Sequence, residues 1–444
     1  MFKPDWSELP KEILTKISKH LTSEIDVLRF RSVCVSFRSS ANLTPPLILK
    51  FPFPIIPYES SINPDTPPRF CVLLQSTVYC LRPRQPVNGN GNGGDGEGEG
   101  SSCQEWLIKV EEMRENVLRL VNPLSRVHIK PLPKTFPKVF NLSDFEIVEL
   151  CNEYVLQLPE SDSELEREYV VESSNPNLRI QVKEIYVREL DNLDVKKVAV
   201  LSSNPNSPSA NDVYGVMVLH VGGKLAFFKP GDEKWTVIQN QTCRFNDVVQ
   251  YNGKFYAVDS TGRAVVVDTS LNVSVVAVPV IGGGRKKRLV ESDGILFLVD
   301  MFIDLGPDYL EWDEFHDLVE YDGDGTPFPT NYDGEATPIR CEVFKLDESK
   351  QSWVEVENLG NRVFVVGDRC SFSVPANKLS QCKGNCIIFT DNFYTLRAED
   401  FDDVFIQSIG IYSLEEDRIG PLASYPGYNQ LFWPPPSWIP SNQQ

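Results

Sequence analysis

The sequence predicts a small all-α N-terminal module followed by a large all-β domain, β-propeller-like, with six blades the better count and seven the alternative. Three observations lead there. Near the N-terminus, Leu9, Ile13, Ile17 and Leu21 recur at four-residue steps, the spacing of one helix face. Beyond a glycine-rich stretch at 87–102, short hydrophobic runs separated by glycine turns dominate and long helical patterns are scarce. Those runs also repeat. The glycines at 223, 253, 294 and 384 stand 30, 41 and 90 residues apart, and the last gap is about two periods of 45.

The helical module covers residues 1–42. Ser7 ahead of Leu9 and Pro10 suits a helix start with proline near the first turn, where its missing N–H is no loss. Leu14 flanks the apolar stripe, and Lys11, Glu12, Lys16 and Lys19 occupy the other face, so an amphipathic helix of about three turns is expected. The segment "IDVLRFRSVCVSFRSSA" sets Ile25, Leu28, Val33, Cys34 and Phe37 among Arg29, Arg31 and Arg38, giving one or two further short helices. About forty residues seldom close a core unaided. Each large aliphatic left in water forgoes roughly 1.5–3 kcal/mol of burial. The stripe therefore needs a surface, on the rest of this chain or on another protein.

Residues 43–66 read as a proline-rich linker leading into a strand. A large β domain follows at 67–430, where "FCVLLQSTVYCLRP" suggests two short strands around a polar turn. The stretch 87–102, glycine alternating with Asn, Asp and Glu, reads as a flexible surface loop. "GGKLAFFKPGDEKWTVI", "NGKFYAVDSTGRAVVVD", "DGILFLVD" and "KGNCIIFTDN" share one layout: polar residues, a glycine turn, a hydrophobic strand. Trp235 and Trp353 each begin a strand after a polar turn and are expected to pack between blades. A large β-sandwich is the alternative architecture. A proline-rich tail closes the chain at 431–444.

Composition narrows the function. A net charge of -19 argues against a general nucleic-acid binder. No apolar run approaches the roughly 18 residues of a membrane span, and charges at Asp5, Glu8, Lys11 and Glu12 break any signal-peptide core, so a nuclear or cytoplasmic protein is expected. Ten scattered cysteines then read as reduced thiols. The four histidines share no ligand spacing, Cys382 and Cys386 lack a second close pair, and Asp322 and Asp324 lack the ligand order of a calcium loop, so neither a metal nor a cofactor is expected. "IGGGRKKRLV" is not a phosphate-binding loop. No catalytic constellation is found, and the expected work is binding.

Two charged features are candidate binding elements. An acidic insertion at 304–340, dotted with Trp312, Phe315 and Tyr321, reads as a target-binding loop for a basic partner or as a solvated excursion. Arg285, Lys286, Lys287 and Arg288 form the one dense basic run, either a nuclear signal or a blade-connecting turn.

The order L-P-x-E-I-L, then Ile17 and Leu21, then D-V-L-R-x-R-x-V-C-x-x-F-R over residues 5–41 closely resembles the F-box. Phe37 stands where that family more often has tryptophan. The strand units quoted above, with "CSFSVPANKLSQCKGNCIIFTDN", look like the KIB-type domain of plant F-box proteins, over most of 45–425. The resemblance implies a non-catalytic substrate receptor of a ubiquitin ligase. It would dock on a Skp-type adaptor, and through it a cullin, by way of Leu9, Pro10, Ile13, Leu14, Ile17, Leu21, Leu28, Val33, Cys34 and Phe37. The propeller would recruit a protein target that the sequence does not name. Two rivals remain: a propeller enzyme or small-molecule sensor with helices packed on the barrel, and an F-box scaffold that degrades nothing.

Overall fold

Hydrophobic runs bounded by glycine turns become antiparallel meanders, and the turns set their register. A computed structural model describes residues 9–21, 24–41, 49–53, 55, 69–84, 105–114, 117–121, 123–124, 145–157, 195–203, 213–220, 222–238, 244–280, 283–284, 286–304, 337–367, 369–379, 382–390, 409–421, 425, 428 and 431–432. Three helices come first: α1 (Lys11–Ser18), α2 (Glu24–Ser32) and α3 (Val35–Ser40).

The first β unit contains β1 (Leu49–Phe53), β2 (Arg69–Pro83), β3 (Trp106–Arg114), β4 (Val117–Val121) and β5 (Phe145–Gln157), with β2 central between β3 and β5. The second runs β6 (Val195–Ser202), β7 (Val213–His220), β8 (Leu225–Phe228), β9 (Thr236–Val237), and a single bridge, Tyr154↔Val198, joins it to the first in one sheet. Next come two four-stranded meanders: β10 (Phe245–Tyr251), β11 (Lys254–Asp259), β12 (Ala264–Val267), β13 (Val273–Ala277); then β14 (Lys286–Ser292), β15 (Ile295–Asp304), β16 (Thr337–Asp347), β17 (Ser352–Glu355). The last sheet combines β18 (Arg362–Val366), β19 (Ser371–Pro375), β20 (Cys386–Thr390), β21 (Ile409–Ser413) and β22 (Arg418–Pro421), with β18 and β20 parallel.

Asn252–Gly253 and Asp293–Gly294 each place two successive residues at positive φ (47° and 71°, 52° and 74°), the backbone of a two-residue hairpin whose twist suits the flanking strands. They close Tyr251↔Lys254 and Ser292↔Ile295. Gly384 does a different job: a Cβ there would lie 2.5 Å from the Gly360 carbonyl oxygen.

Each unit shares an apolar core with the next. Phe51, Leu73 and Leu156 pack with Val216 and Phe228; Met217 and Phe227 with Phe255 and Val265; Tyr256 and Val258 with Leu289 and Leu298; Val299 and Val343 with Phe364 and Ile387. The fifth core returns to the start, setting Val363, Ile388 and Ile411 against Val78, Cys80 and Leu107. The architecture is a small helical segment followed by a large, mostly antiparallel, propeller-like β region. Trp353 meets its expectation, donating Nε1–H to the Gly262 carbonyl of the neighbouring meander at 2.7 Å. Trp235 donates to the Pro52 carbonyl at 2.8 Å and packs on Phe51 and Phe228.

Several expectations are corrected. The 43–66 linker contains β1, paired from Leu49↔Leu73 to Phe53↔Arg69, and buries Phe51 and Ile55. "FCVLLQSTVYCLRP" is one strand, because β5 pairs with it from Val72 to Pro83 and Thr77 donates to the Asn152 side-chain oxygen at 2.8 Å, so the polar middle stays in the sheet. The tail begins buried at Leu431 and Phe432, with the Leu431 carbonyl accepting from Leu107 N–H at 2.7 Å. The strands at the ends of the acidic insertion pair at Asp304↔Thr337; Trp312, Phe315, Tyr321 and the loop at 87–102 lie outside the described residues.

Candidate docking sites

The helix start differs from the one expected. Pro10 is itself the N-cap, with φ -56° and ψ 139°, and its carbonyl accepts from Ile13 and Leu14 N–H at 3.0 and 3.1 Å. Lacking an N–H, proline is well suited to that end of the helix, and Glu12 in the first turn complements the helix dipole. Ser7 lies outside the described residues.

The three helices close a core of their own. Leu14 is fully buried with Phe30, Phe37 and Ala41, and Leu9, Leu21, Val27 and Cys34 pack around them. Phe30 and Phe37 rings meet at 4.7 Å, so the phenylalanine at the family's tryptophan position still fills the centre. Ser18 Oγ donates to the Ser40 carbonyl at 3.1 Å, joining α1 to α3, and Arg31 Nη1 donates to the Ala41 and Arg38 carbonyls.

This core divides the ten residues assigned to adaptor docking. Leu14 and Phe37 are internal, and Leu9, Leu21 and Cys34 are half-buried against them, so these five chiefly hold the module together. Pro10 is exposed, as are Ile13 and Ile17, at 42 % and 39 % of their surface, one helical turn apart on one face. Val33, at 58 %, stands at the α2–α3 junction with Val35, at 77 %. Sequence reading missed Val35; the alternation of Val33, Cys34 and Val35 around a helix start was its signal. Leu28 lies on α2, but its side chain is outside the described residues.

The basic tetrad is corrected as well. Lys287 and Arg288 are buried in β14, not displayed in a turn. Lys287 Nζ sits 2.9 Å from Asp300 Oδ1, its cross-strand partner, and donates to the Gly284 carbonyl at 2.5 Å; Gly284 N–H donates to Asp300 Oδ2 at 3.0 Å. A Cβ at Gly283 would stand 2.5 Å from Asp300 Oδ2, and one at Gly284 2.4 Å from the Met301 carbonyl oxygen. The glycine run thus lets the backbone close over a buried ion pair. An import receptor could not reach these two cations in the folded chain. Arg285 lies outside the described residues.

A second buried pair, Lys197 Nζ to Asp247 Oδ1 at 2.6 Å, joins β6 to β10. Asp247 also accepts from Val248 N–H and, through Oδ2, from Leu289 N–H of β14, both at 2.8 Å. Three units are therefore tied to one carboxylate. Among the described residues no group of three or more His, Cys, Asp or Glu is placed to hold a metal. The described cysteines are free thiols; burial pushes Cys386 up to about 11 while the Tyr428 hydroxyl beside it, at 3.2 Å, pulls the other way.

A helical module with a closed core and an aliphatic face left in solvent, ahead of meanders that pack in a round, defines a class: a docking module carried by a propeller-type binding protein. Known proteins sharpen this. Residues 94–413 match the family described as KIB1-4 beta-propeller. The chain is 34 % identical to "F-box protein SKIP23" of Arabidopsis thaliana over 450 residues, covering 99 % of this chain and 96 % of that protein. It is 29 % identical to "F-box protein At2g17036" of the same plant, covering 99 % and 96 %. The chain belongs to the plant F-box proteins with a KIB1-4-type β-propeller domain.

Proposed function

We propose that this chain is the substrate-recognition subunit of a Skp-cullin-F-box ubiquitin ligase. Its helices dock on a Skp-type adaptor, and its propeller presents a protein target to the ubiquitin-charged enzyme. It breaks no bond itself; proximity raises the effective concentration of a target lysine near the activated thioester. The observation that carries this reading is the split within the module: Leu14, Phe30 and Phe37 satisfy its own core, yet Ile13, Ile17, Val33 and Val35 stay in water. Aliphatic side chains left outside the module's own core and grouped on its surface mark an interaction face.

The unit boundaries belong to the same proposal: an F-box within 1–42, a propeller running to about the start of the tail, and residence in the nucleus, the cytoplasm or both. Five described units, each sharing a core with the next, support five blades rather than six or seven. A pull-down of the full chain with purified Skp-type adaptor tests the docking. Wild type is expected to bind and an Ile13→Asp, Ile17→Asp variant to fail; no binding by wild type would overturn the reading. Proximity labelling with and without residues 1–42 then separates ligase subunits, lost on deletion, from targets, which are retained.

A further inference from the structure

Among the described strands β1 pairs with β2 alone, so one of its edges has no strand beside it. In an antiparallel ladder alternate residues turn their main-chain groups toward the partner and away from it. Pro52 has no N–H, and its carbonyl accepts from Trp235 Nε1 at 2.8 Å, so Pro52 turns away from β2. Lys50, two residues earlier, turns the same way. Its N–H and C=O stand outside the ladder, and no other backbone group among the described residues bonds to them. An edge of this kind is a template for a further strand.

Between this edge and the turn at 229–234, which joins β8 to β9, lies an open cleft of about 460 Å³, a volume in the range of ligand sites. Its floor is Phe51 and Phe228, both buried, with ring centroids 5.1 Å apart. Phe70, opposite Pro52 in register, forms one wall and is 46 % exposed. The turn is braced: Asp232 N–H donates to the Lys229 carbonyl at 2.9 Å, and Lys229 N–H to Asp232 Oδ2 at 3.0 Å. A Cβ on Gly231 would meet nothing within 4 Å, so this wall borders open space. The charged groups of the lining are Asp232, Glu233 and Lys50, all exposed and none ion-paired with a described residue. Lys229 and Lys234 flank the turn outside the lining. The cleft therefore joins three features: an apolar hollow, two adjacent carboxylates and a free strand edge. A small molecule would leave the edge unused, whereas a peptide main chain uses it.

We propose that the cleft between β1 and the β8–β9 turn binds an extended segment of the target protein that carries a large apolar residue beside Lys or Arg. The segment adds to β1 through main-chain hydrogen bonds at Lys50, its apolar side chain enters between Phe51, Phe70 and Phe228, and its cation meets Glu233 and Asp232 Oδ1. As a target site the cleft rests on the reading of this chain as a substrate receptor, but it lies on the β domain and needs no adaptor.

Random linear peptides displayed on phage and selected on the full chain, with no adaptor present, test the site separately from adaptor docking. Wild type is expected to enrich peptides that share a large apolar residue next to Lys or Arg. In calorimetry, a synthetic peptide of the enriched sequence should bind Phe70→Ala and Glu233→Lys about fivefold or more weakly than wild type. Methylating its backbone nitrogens one at a time should abolish binding at the position that pairs with Lys50, with every side chain unchanged. Melting temperatures control for folding, and should Phe70→Ala fail to fold, the exposed Glu233→Lys decides alone. No shared sequence enriched on wild type, equal binding by Glu233→Lys, or indifference to every backbone methylation would overturn the site. A dimer of the full chain that Phe70→Ala disperses would make the occupant a second copy, and would overturn the target peptide.

Discussion

Leu14 and Ile17 sit one position short of a helical turn apart on α1 and are predicted to fail in opposite ways. Leu14 is fully buried in the helical core, so Leu14→Ala removes buried methyl groups and leaves a cavity, at about 2–5 kcal/mol. A forty-residue module has little more stability than that, and the helices should unfold. Ile13 and Ile17 are already about two-fifths exposed, so truncating them costs the fold little. Covering that remaining surface on docking is worth about two-fifths of a full burial each, roughly 0.6–1.2 kcal/mol. The pair together should therefore weaken adaptor binding about tenfold to fiftyfold. Calorimetry against purified adaptor reads the second effect, and hydrogen exchange of α1–α3 in the full chain reads the first. Ile13→Ala, Ile17→Ala binding like wild type, or Leu14→Ala leaving α1 protected, would refute the division of the module into core and face.

Three further predictions concern the β domain. Lys287→Met strands a buried carboxylate at Asp300 and should cost about 3–5 kcal/mol in urea unfolding, while Lys287→Met, Asp300→Leu should recover most of it. Gly284→Ala drives a Cβ into the Met301 carbonyl and should cost about 1–3 kcal/mol or more, whereas Gly253→Ala, which meets no atom within 4 Å, should cost only the left-handed strain, about 1–2 kcal/mol; paired melting curves separate them. Lys196 is lowered from 10.5 to about 7 in the fold, so between those pH values the unfolded chain holds a proton that the folded chain has released. Stability therefore gains from rising pH over that window, by at most about 1.4 kcal/mol per unit and less with solvent screening. Urea titrations should show the wild-type slope exceeding that of Lys196→Met between pH 7 and about 10.

What could be read from the sequence was whatever local rules decide. Asn252–Gly253 and Asp293–Gly294 announced their hairpins, and the residue order from Leu9 to Arg38 announced the helical module. The turn at Asp293–Gly294 even fixes the pairing of Lys287 with Asp300 by counting outward from Ser292↔Ile295, so the cross-strand ion pair of Lys287 is legible in the sequence, although a run of cations reads as solvated. Other features depended on distant partners. β2 is continuous through Ser76 and Thr77 because β5, some seventy residues on, supplies Asn152. The division of the aliphatic stripe into core and face required Phe30 and Phe37 to be seen against Leu14. The bulges at Lys196 and Asn246 leave no pattern in a single strand and emerge only from paired registers.

Co-elution of the full chain with purified Skp-type adaptor and cullin on size exclusion tests the central claim most directly. The account predicts one complex containing all three, dispersed by Ile13→Asp, Ile17→Asp with the β domain still folded. Adaptor and cullin eluting together without the wild-type chain would contradict it.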